Sequence, residues 1–149
     1  MNQASLFPPD RRGPDRVIVY CDGGSRGNPG PAAIGAVVLD GSGDPPQRLA
    51  VVSECIGEAT NNVAEYRACI AGLEAAAAFS ARRVLVRADS MLVIEQLRGK
   101  WRVKHANIRP LFEQARALLA AYEEVVLEHV PREQNVDADA LVNAALDAR

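Results

Sequence analysis

Three cysteines, two histidines and no apolar run long enough to cross a bilayer set the first limits on this 149-residue chain. Cys21, Cys55 and Cys69 cannot all pair with one another, and no CxxC or Cys/His spacing marks a zinc site. All three are expected to be reduced core residues of a cytoplasmic protein. An excess of charge of either sign is also lacking: 17 Lys and Arg stand against 19 Asp and Glu, a net charge of −2. Nucleic-acid-binding domains are usually basic. The balance therefore counts against that class unless positive charge is concentrated locally or supplied by bound cations. No internal repeat or low-complexity tract is present. The first fifteen residues, MNQASLFPPDRRGPD, hold three prolines and no apolar signal region. They read as a flexible tail, not a signal peptide. Residues 16–149 are expected to form one domain, with 48% hydrophobic and 24% charged residues, ordinary for a globular protein.

What is present is an alternation of strand and helix signals. Residues 16–22 (RVIVYCD) read as a strand, and the glycine- and proline-rich stretch 23–32 as a turn. Strands follow at 33–40 and 47–57, joined by connections short enough for antiparallel pairing. Helical spacing appears over 62–79, 90–98, 106–122 and 136–147, with strands at 82–88 and 124–130. Ser90 is a candidate cap and Gly99 a candidate stop for the second helix. A strand that arrives after a helix is expected to run parallel to the first, through a right-handed crossover. The order β-β-β-α-β-α-α-β-α describes an α/β domain.

Asp22 closes the first apolar run, Asp89 closes RRVLVRADS, Glu65 lies near a helix start, and Asp139 lies early in the last helix. Strand ends and helix starts converge at one edge of such a sheet, where ligand sites form. Carboxylates gathered there repel one another unless cations are bound, and hard divalent cations prefer oxygen ligands. The pattern is the skeleton of a two-metal phosphodiester hydrolase. Taken singly, Glu65 and Asp139 read equally well as partners of a helix dipole. Asp137 is a rival to Asp139, about 200° away around the helix.

Four blocks carry a specific resemblance: YCDGGSRGNPGPAAIG (20–35), TNNVAEYRACIAGLEAA (60–76), VRADSMLVIEQLRGKW (86–101) and VPREQNVDADALVNAAL (130–146). In order and spacing they resemble type 1 ribonuclease H, over residues 16–147, in its short prokaryotic form without the basic protrusion. The resemblance implies the ribonuclease H-like fold. That is a five-stranded mixed sheet, with strands 1–3 antiparallel and strands 4 and 5 parallel to strand 1, flanked by helices. It implies an endonuclease that hydrolyses the RNA strand of RNA–DNA hybrids with two Mg²⁺ or Mn²⁺ ions, leaving 5′-phosphate and 3′-hydroxyl ends. Asp22, Glu65, Asp89 and Asp139 become the metal-binding carboxylates, with Asp22 expected to bridge both ions. Glu65 and Asp89 are assigned to the first ion and Asp139 to the other.

The same resemblance names substrate contacts. Asn28, Asn61 and Asn62 fall where the family reads 2′-hydroxyls in the wide minor groove, and Thr60 where it holds a phosphate of the DNA strand. Gly23, Gly24 and Gly27 are expected to admit the duplex close to the backbone. Between Gln96 and Phe112 there is no acid, but there are Arg98, Lys100, Arg102, Lys104 and Arg109, with Trp101 among them. Lys100, Trp101, Arg102 and Lys104 are expected to meet the DNA backbone. Asn135 is expected to orient the catalytic neighbourhood.

The chain departs from the family in two places. Arg132 and Glu133 occupy the loop where many bacterial relatives carry a histidine, and Met91 stands where some have a glutamine. His105 and His129 lie outside the motif, and His129 reads as a core or edge residue. Three alternatives stand beside the hybrid-specific enzyme: one that also cuts double-stranded RNA, a non-catalytic hybrid-binding module, and a domain cut from a larger protein. A monomer is expected, because no surplus apolar helix face is evident.

Overall fold

The computed structural model describes residues 13–149. Most of the expected tail lies outside the described residues. Asp15, near its end, accepts backbone hydrogen bonds from Arg82 and Arg83, and both guanidinium groups grip its carboxylate. The elements come in the expected order: β1 (Arg16–Ser25), β2 (Gly30–Asp40), β3 (Arg48–Ala59), α1 (Asn61–Ala77), β4 (Arg83–Ala88), α2 (Met91–Leu97), α3 (Arg109–Leu119), β5 (Glu124–His129) and α4 (Val136–Ala148). A 3₁₀ turn over Arg132–Gln134, not anticipated from the sequence pattern, precedes α4.

One sheet forms in the order β3-β2-β1-β4-β5. β1 to β3 pair antiparallel, while β4 runs parallel to β1 and β5 parallel to β4. This is the mixed five-stranded arrangement expected above. Alternate residues of β1 (Val17, Val19 and Cys21) join Tyr66, Ile70 and Leu73 of α1 in the main core. The other face of the sheet holds a smaller cluster of Ala33 with Val142, Ala145 and Leu146 of α4. Thr60 and Ser90 cap α1 and α2 through their hydroxyls, and Gly99 stops α2 at φ +82°.

Two boundaries and the burial of one cysteine differ from the sequence reading. The expected turn over 23–32 is mostly ladder, because Gly23, Gly24 and Ser25 pair with Ile34, Ala33 and Ala32. Glycine lowers strand propensity but does not prevent pairing. Helix α3 starts at Arg109, not at 106, with Pro110 in its first turn, where a missing N–H costs nothing. Cys21 and Cys69 are buried and unpaired as expected, but Cys55 is exposed, since β3 is an edge strand. Among the described residues, no helix is long and apolar enough to cross a membrane.

Two strand glycines help set how closely the helices approach the sheet, and Gly72 of α1 does the same from the helix side against Val19. A Cβ on Gly23 would lie 2.2 Å from the backbone of Ala64 in α1, and one on Gly35 would lie 2.4 Å from the carbonyl oxygen of Ala138 in α4. Gly23 therefore faces a helix, not open solvent. By contrast, a Cβ on Gly24 would sit 3.7 Å from Val142, an ordinary contact. Gly23→Ala and Gly35→Ala should each destabilise the fold by about 1–3 kcal/mol, the usual cost of overpacking against backbone. Gly24→Ala should cost less than about 1 kcal/mol. Urea denaturation of the three variants checks this, and equal costs would refute the close-approach account.

Candidate active site

The register of the sheet builds the first half of the site. Cys21 of β1 lies opposite Ala88 of β4 in the parallel ladder, so the next residues along, Asp22 and Asp89, emerge side by side. Gly23 then lets the first turn of α1 close over the strand end, and its N–H donates to Glu65 Oε1 at 2.8 Å. One oxygen from each of Asp22, Glu65 and Asp89 lies within 4.8 Å of the others. On the opposite face, Gly35 admits α4, and Asp139 lines the same cavity of about 350 Å³ as the other three. Asp137, the rival, is turned away and pairs with Arg48 at 3.5 Å.

Asp22 is only 7% exposed. Its carboxyl is pushed up to about 8, first by desolvation, then by the charge of Asp89 and by hydrogen bonding with Asp139. Glu65 is pushed up to about 9, chiefly by desolvation and then by Asp22, although the Gly23 N–H pulls it back. Among the described residues, no Lys or Arg pairs with Asp22, Glu65 or Asp89. Charge is therefore packed without a counter-charge from the protein. A donor set of carboxylate oxygens alone, crowded and desolvated, fits a hard divalent cation.

Asn135 is 1% exposed and lies beneath the site, not on its open side. Its Nδ2 donates to the Cys21 carbonyl at 2.9 Å and lies 3.5 Å from Asp89 Oδ1. It thus ties β1 to Asp89.

The asparagines of the β1–β2 turn and the α1 start form a linked set. Asn28 Oδ1 accepts from the Asn61 N–H at 3.0 Å, and Asn61 Oδ1 accepts from the Ser25 N–H at 2.9 Å. The carbonyl ends are used inward. Among the described residues, the two amide NH₂ groups have no protein acceptor. Asn62 is exposed. The Thr60 hydroxyl accepts from the Val63 N–H at 3.2 Å, so it caps α1 and still has a proton to donate. Lys100, Arg102 and Lys104 are exposed, and Trp101 is 44% exposed rather than packed in the core. Arg98 and Arg109 are instead tied to the Leu127 and Val103 carbonyls. Arg26, Arg132 and Asn143 also line the carboxylate cavity. Asn143 lies four residues beyond Asp139 on one helix face, a spacing that could have flagged it. Arg26 carried no such signal.

The family described as "Reverse transcriptase-like" matches residues 20–145. The bifunctional protein Rv2228c of Mycobacterium tuberculosis is 49% identical over 133 residues, covering 89% of this chain and 36% of that protein. This chain thus spans about a third of the length of the first curated relatives it matches. Ribonuclease HI of Halobacterium salinarum is 49% identical over 143 residues, covering 96% of this chain and 69% of that protein. The crystal structure of RNase H1 from the same archaeon matches at TM-score 0.84 and 48% identity, over 90% of this chain and 99% of that one. LC11-RNase H1, solved in complex with an RNA/DNA hybrid, matches at TM-score 0.82 and 42% identity, over 89% of this chain and 97% of that one.

The raised carboxyls have a consequence for stability. Asp22 and Glu65 start from 3.8 and 4.5 and reach about 8 and about 9 in the folded protein. Across that window the folded state holds protons that the unfolded chain has released, so stability falls as pH rises. In chelator, the thermal midpoint should drop between about pH 5 and about pH 9. Asp22→Asn and Glu65→Gln should each flatten the drop and raise the midpoint near pH 8, while Asp137→Asn should do neither. Circular dichroism melts test this, and parallel pH profiles in all variants would refute it.

Proposed function

This chain belongs to the ribonuclease H family, and on that footing we propose that residues 16–149 form a catalytic domain that hydrolyses the RNA strand of RNA–DNA hybrids. The observation that carries the reading is the convergence of Asp22, Glu65, Asp89 and Asp139 on one cavity at the edge of the sheet. Similarity to a ribonuclease H solved with a hybrid supports the choice of substrate.

Asp22, Glu65, Asp89 and Asp139 would hold two divalent cations, Mg²⁺ or Mn²⁺, with Asp22 at the centre because it sits between β4 and the two helices. When bound, such a pair activates water for attack on phosphorus and stabilises the leaving 3′ oxygen, which gives 5′-phosphate and 3′-hydroxyl ends. The protein's own contribution is placement. Gly23 and Gly35 fix the depth of the two helices, and Asn135 holds the Asp89 side of the site. Asn28 and Asn61 present oriented amide donors, and Asn62 an exposed amide, to 2′-hydroxyls in the minor groove. Gly24 leaves the strand surface low beside them. The Thr60 hydroxyl has a free proton for a DNA-strand phosphate. Lys100, Arg102 and Lys104 would meet the same strand further along, with Trp101 packed against its sugars. The protein is read as a cytoplasmic monomer.

The test presents one labelled RNA strand with DNA, with RNA, and alone, each with Mg²⁺, Mn²⁺ or chelator. Metal-dependent cutting of the hybrid alone is expected. Cutting of the RNA duplex as well would move the protein to a broader ribonuclease, and hybrid binding without cutting would make it a binding module. Asp22→Asn and Asp89→Asn should each lose more than about a hundredfold in rate, since outer-shell partners of a metal alone are worth 10–100-fold. Full rate in either would sink the scheme.

Replacing Lys100, Arg102 and Lys104 together by Ala should weaken hybrid binding. It should also flatten the dependence of log K on log salt by about one unit for each phosphate the variant no longer engages. An unchanged slope would remove the patch from the interface.

A further inference from the structure

Asp139 touches the carboxylate group only through its hydrogen bonding with Asp22. Asp22, Glu65 and Asp89 bring one oxygen each within 4.8 Å of one another, whereas Asp139 is outside that group. Both of its oxygens face donors from the protein. Arg132 NH2 lies 3.5 Å from Oδ1, and Asn143 Nδ2 lies 3.5 Å from Oδ2. Among the described residues, Arg132 is the one Lys or Arg that reaches any of the four carboxylates. The other guanidinium at the cavity, that of Arg26, is held by Asp147 at 2.7 Å.

The hold of Arg132 on Asp139 is loose. The contact is long, and the Arg132 side chain is 76% exposed while that of Asp139 is 31% exposed. Arg132 sits in the 3₁₀ turn, its carbonyl accepting from the Asn135 N–H at 2.9 Å, so its backbone is held while its side chain projects into solvent. A planar guanidinium that leaves a carboxylate has one natural alternative partner at the mouth of such a cavity, a phosphate oxygen, which it can take with the same two-pronged geometry.

We propose that Arg132 is an exchangeable counter-ion for Asp139. Without a divalent cation at Asp139, the guanidinium neutralises that carboxylate. When a cation takes Asp139, the guanidinium is released and grips a phosphate of the nucleic-acid strand at the cavity mouth. Occupation of the cavity by metal and the hold on substrate are thereby coupled through one side chain. Arg132 is a positioning residue in the first state and a substrate contact in the second. This inference rests on the metal-dependent hydrolase reading above and deepens it.

The experiment is calorimetric titration of the full chain with Mn²⁺ in the absence of nucleic acid, for wild type, Arg132→Gln, Asp139→Asn, the double variant and Arg26→Gln. Arg132→Gln should bind the weaker ion about two- to fivefold more tightly, the range expected from removing one exposed ion pair. The gain should vanish in the Asp139→Asn background, and Arg26→Gln should show none. At saturating metal, Arg132→Gln should raise KM for the hybrid, with Arg132→Lys recovering only part of the loss. An equal gain in the Asp139→Asn background, or the same gain in Arg26→Gln, would overturn the proposal by reducing it to a general field effect. Unchanged metal affinity in Arg132→Gln would overturn it directly. Absence of any Mn²⁺ binding by wild type would instead overturn the metal-dependent reading on which it rests.

Discussion

Carboxylates that repel one another in a partly desolvated cavity are the constraint around which this domain is arranged. Burying charge is costly unless it is paired, and three of the four acids at the centre of the cavity have no basic partner among the described residues. The protein meets part of that cost by holding protons, which is why Asp22 and Glu65 titrate near 8 and 9. On the proposed reading, exchanging protons for divalent cations would remove the repulsion among these carboxylates. The stability lost to crowding at high pH and the affinity gained for a cation are two faces of one electrostatic arrangement.

Crowding of this kind has to be built, and the backbone builds it. The parallel register of β1 and β4 sets Asp22 beside Asp89. Gly23 and Gly35 remove the side chains that would hold α1 and α4 away, at approaches far closer than a Cβ tolerates. Gly23 also donates its N–H to Glu65, so one residue both admits the helix and fixes the carboxylate that the helix brings. These two glycines therefore bear on function without touching a ligand. A change at either would act through the depth of a helix, and so through the spacing of acids contributed by opposite faces of the sheet.

The order of elements was legible in the sequence because it is locally encoded, and the four acidic positions because four motif blocks place them together. Asp22 and Asp89 end apolar runs, and Thr60 and Ser90 are recognisable caps. The strand directions followed from connection length and handedness. What was not legible depends on contacts between distant segments. Gly23 and Gly24 read as turn residues because their strand partners, Ile34 and Ala33, lie across a turn shorter than its glycine and proline content suggests. Cys55 read as core because its strand's place at the edge of the sheet is a property of topology, not of local pattern. Asp137 and Asp139 could be separated by helix geometry in principle, but only the position of α4 shows which of them faces the cavity. Arg26 and Arg132 join the site through loops that carry no periodic signal.

The modest net charge, which by itself counts against a nucleic-acid enzyme, is accounted for by how the charge is distributed. A carboxylate cavity requires concentrated negative charge, and a duplex requires positive charge beside it. Here the two are segregated along the chain: the acids gather where strands end, and Lys100, Arg102 and Lys104 stand exposed on a connection without acids of its own. Bound cations would reverse the sign of the cavity without moving any of these side chains. The formal charge of −2 therefore counts the protein alone, without the cations proposed for its cavity. On the proposed reading, a duplex would meet the field of the local basic patch and of a metal-loaded cavity together, and screening by salt would limit each to about 10 Å.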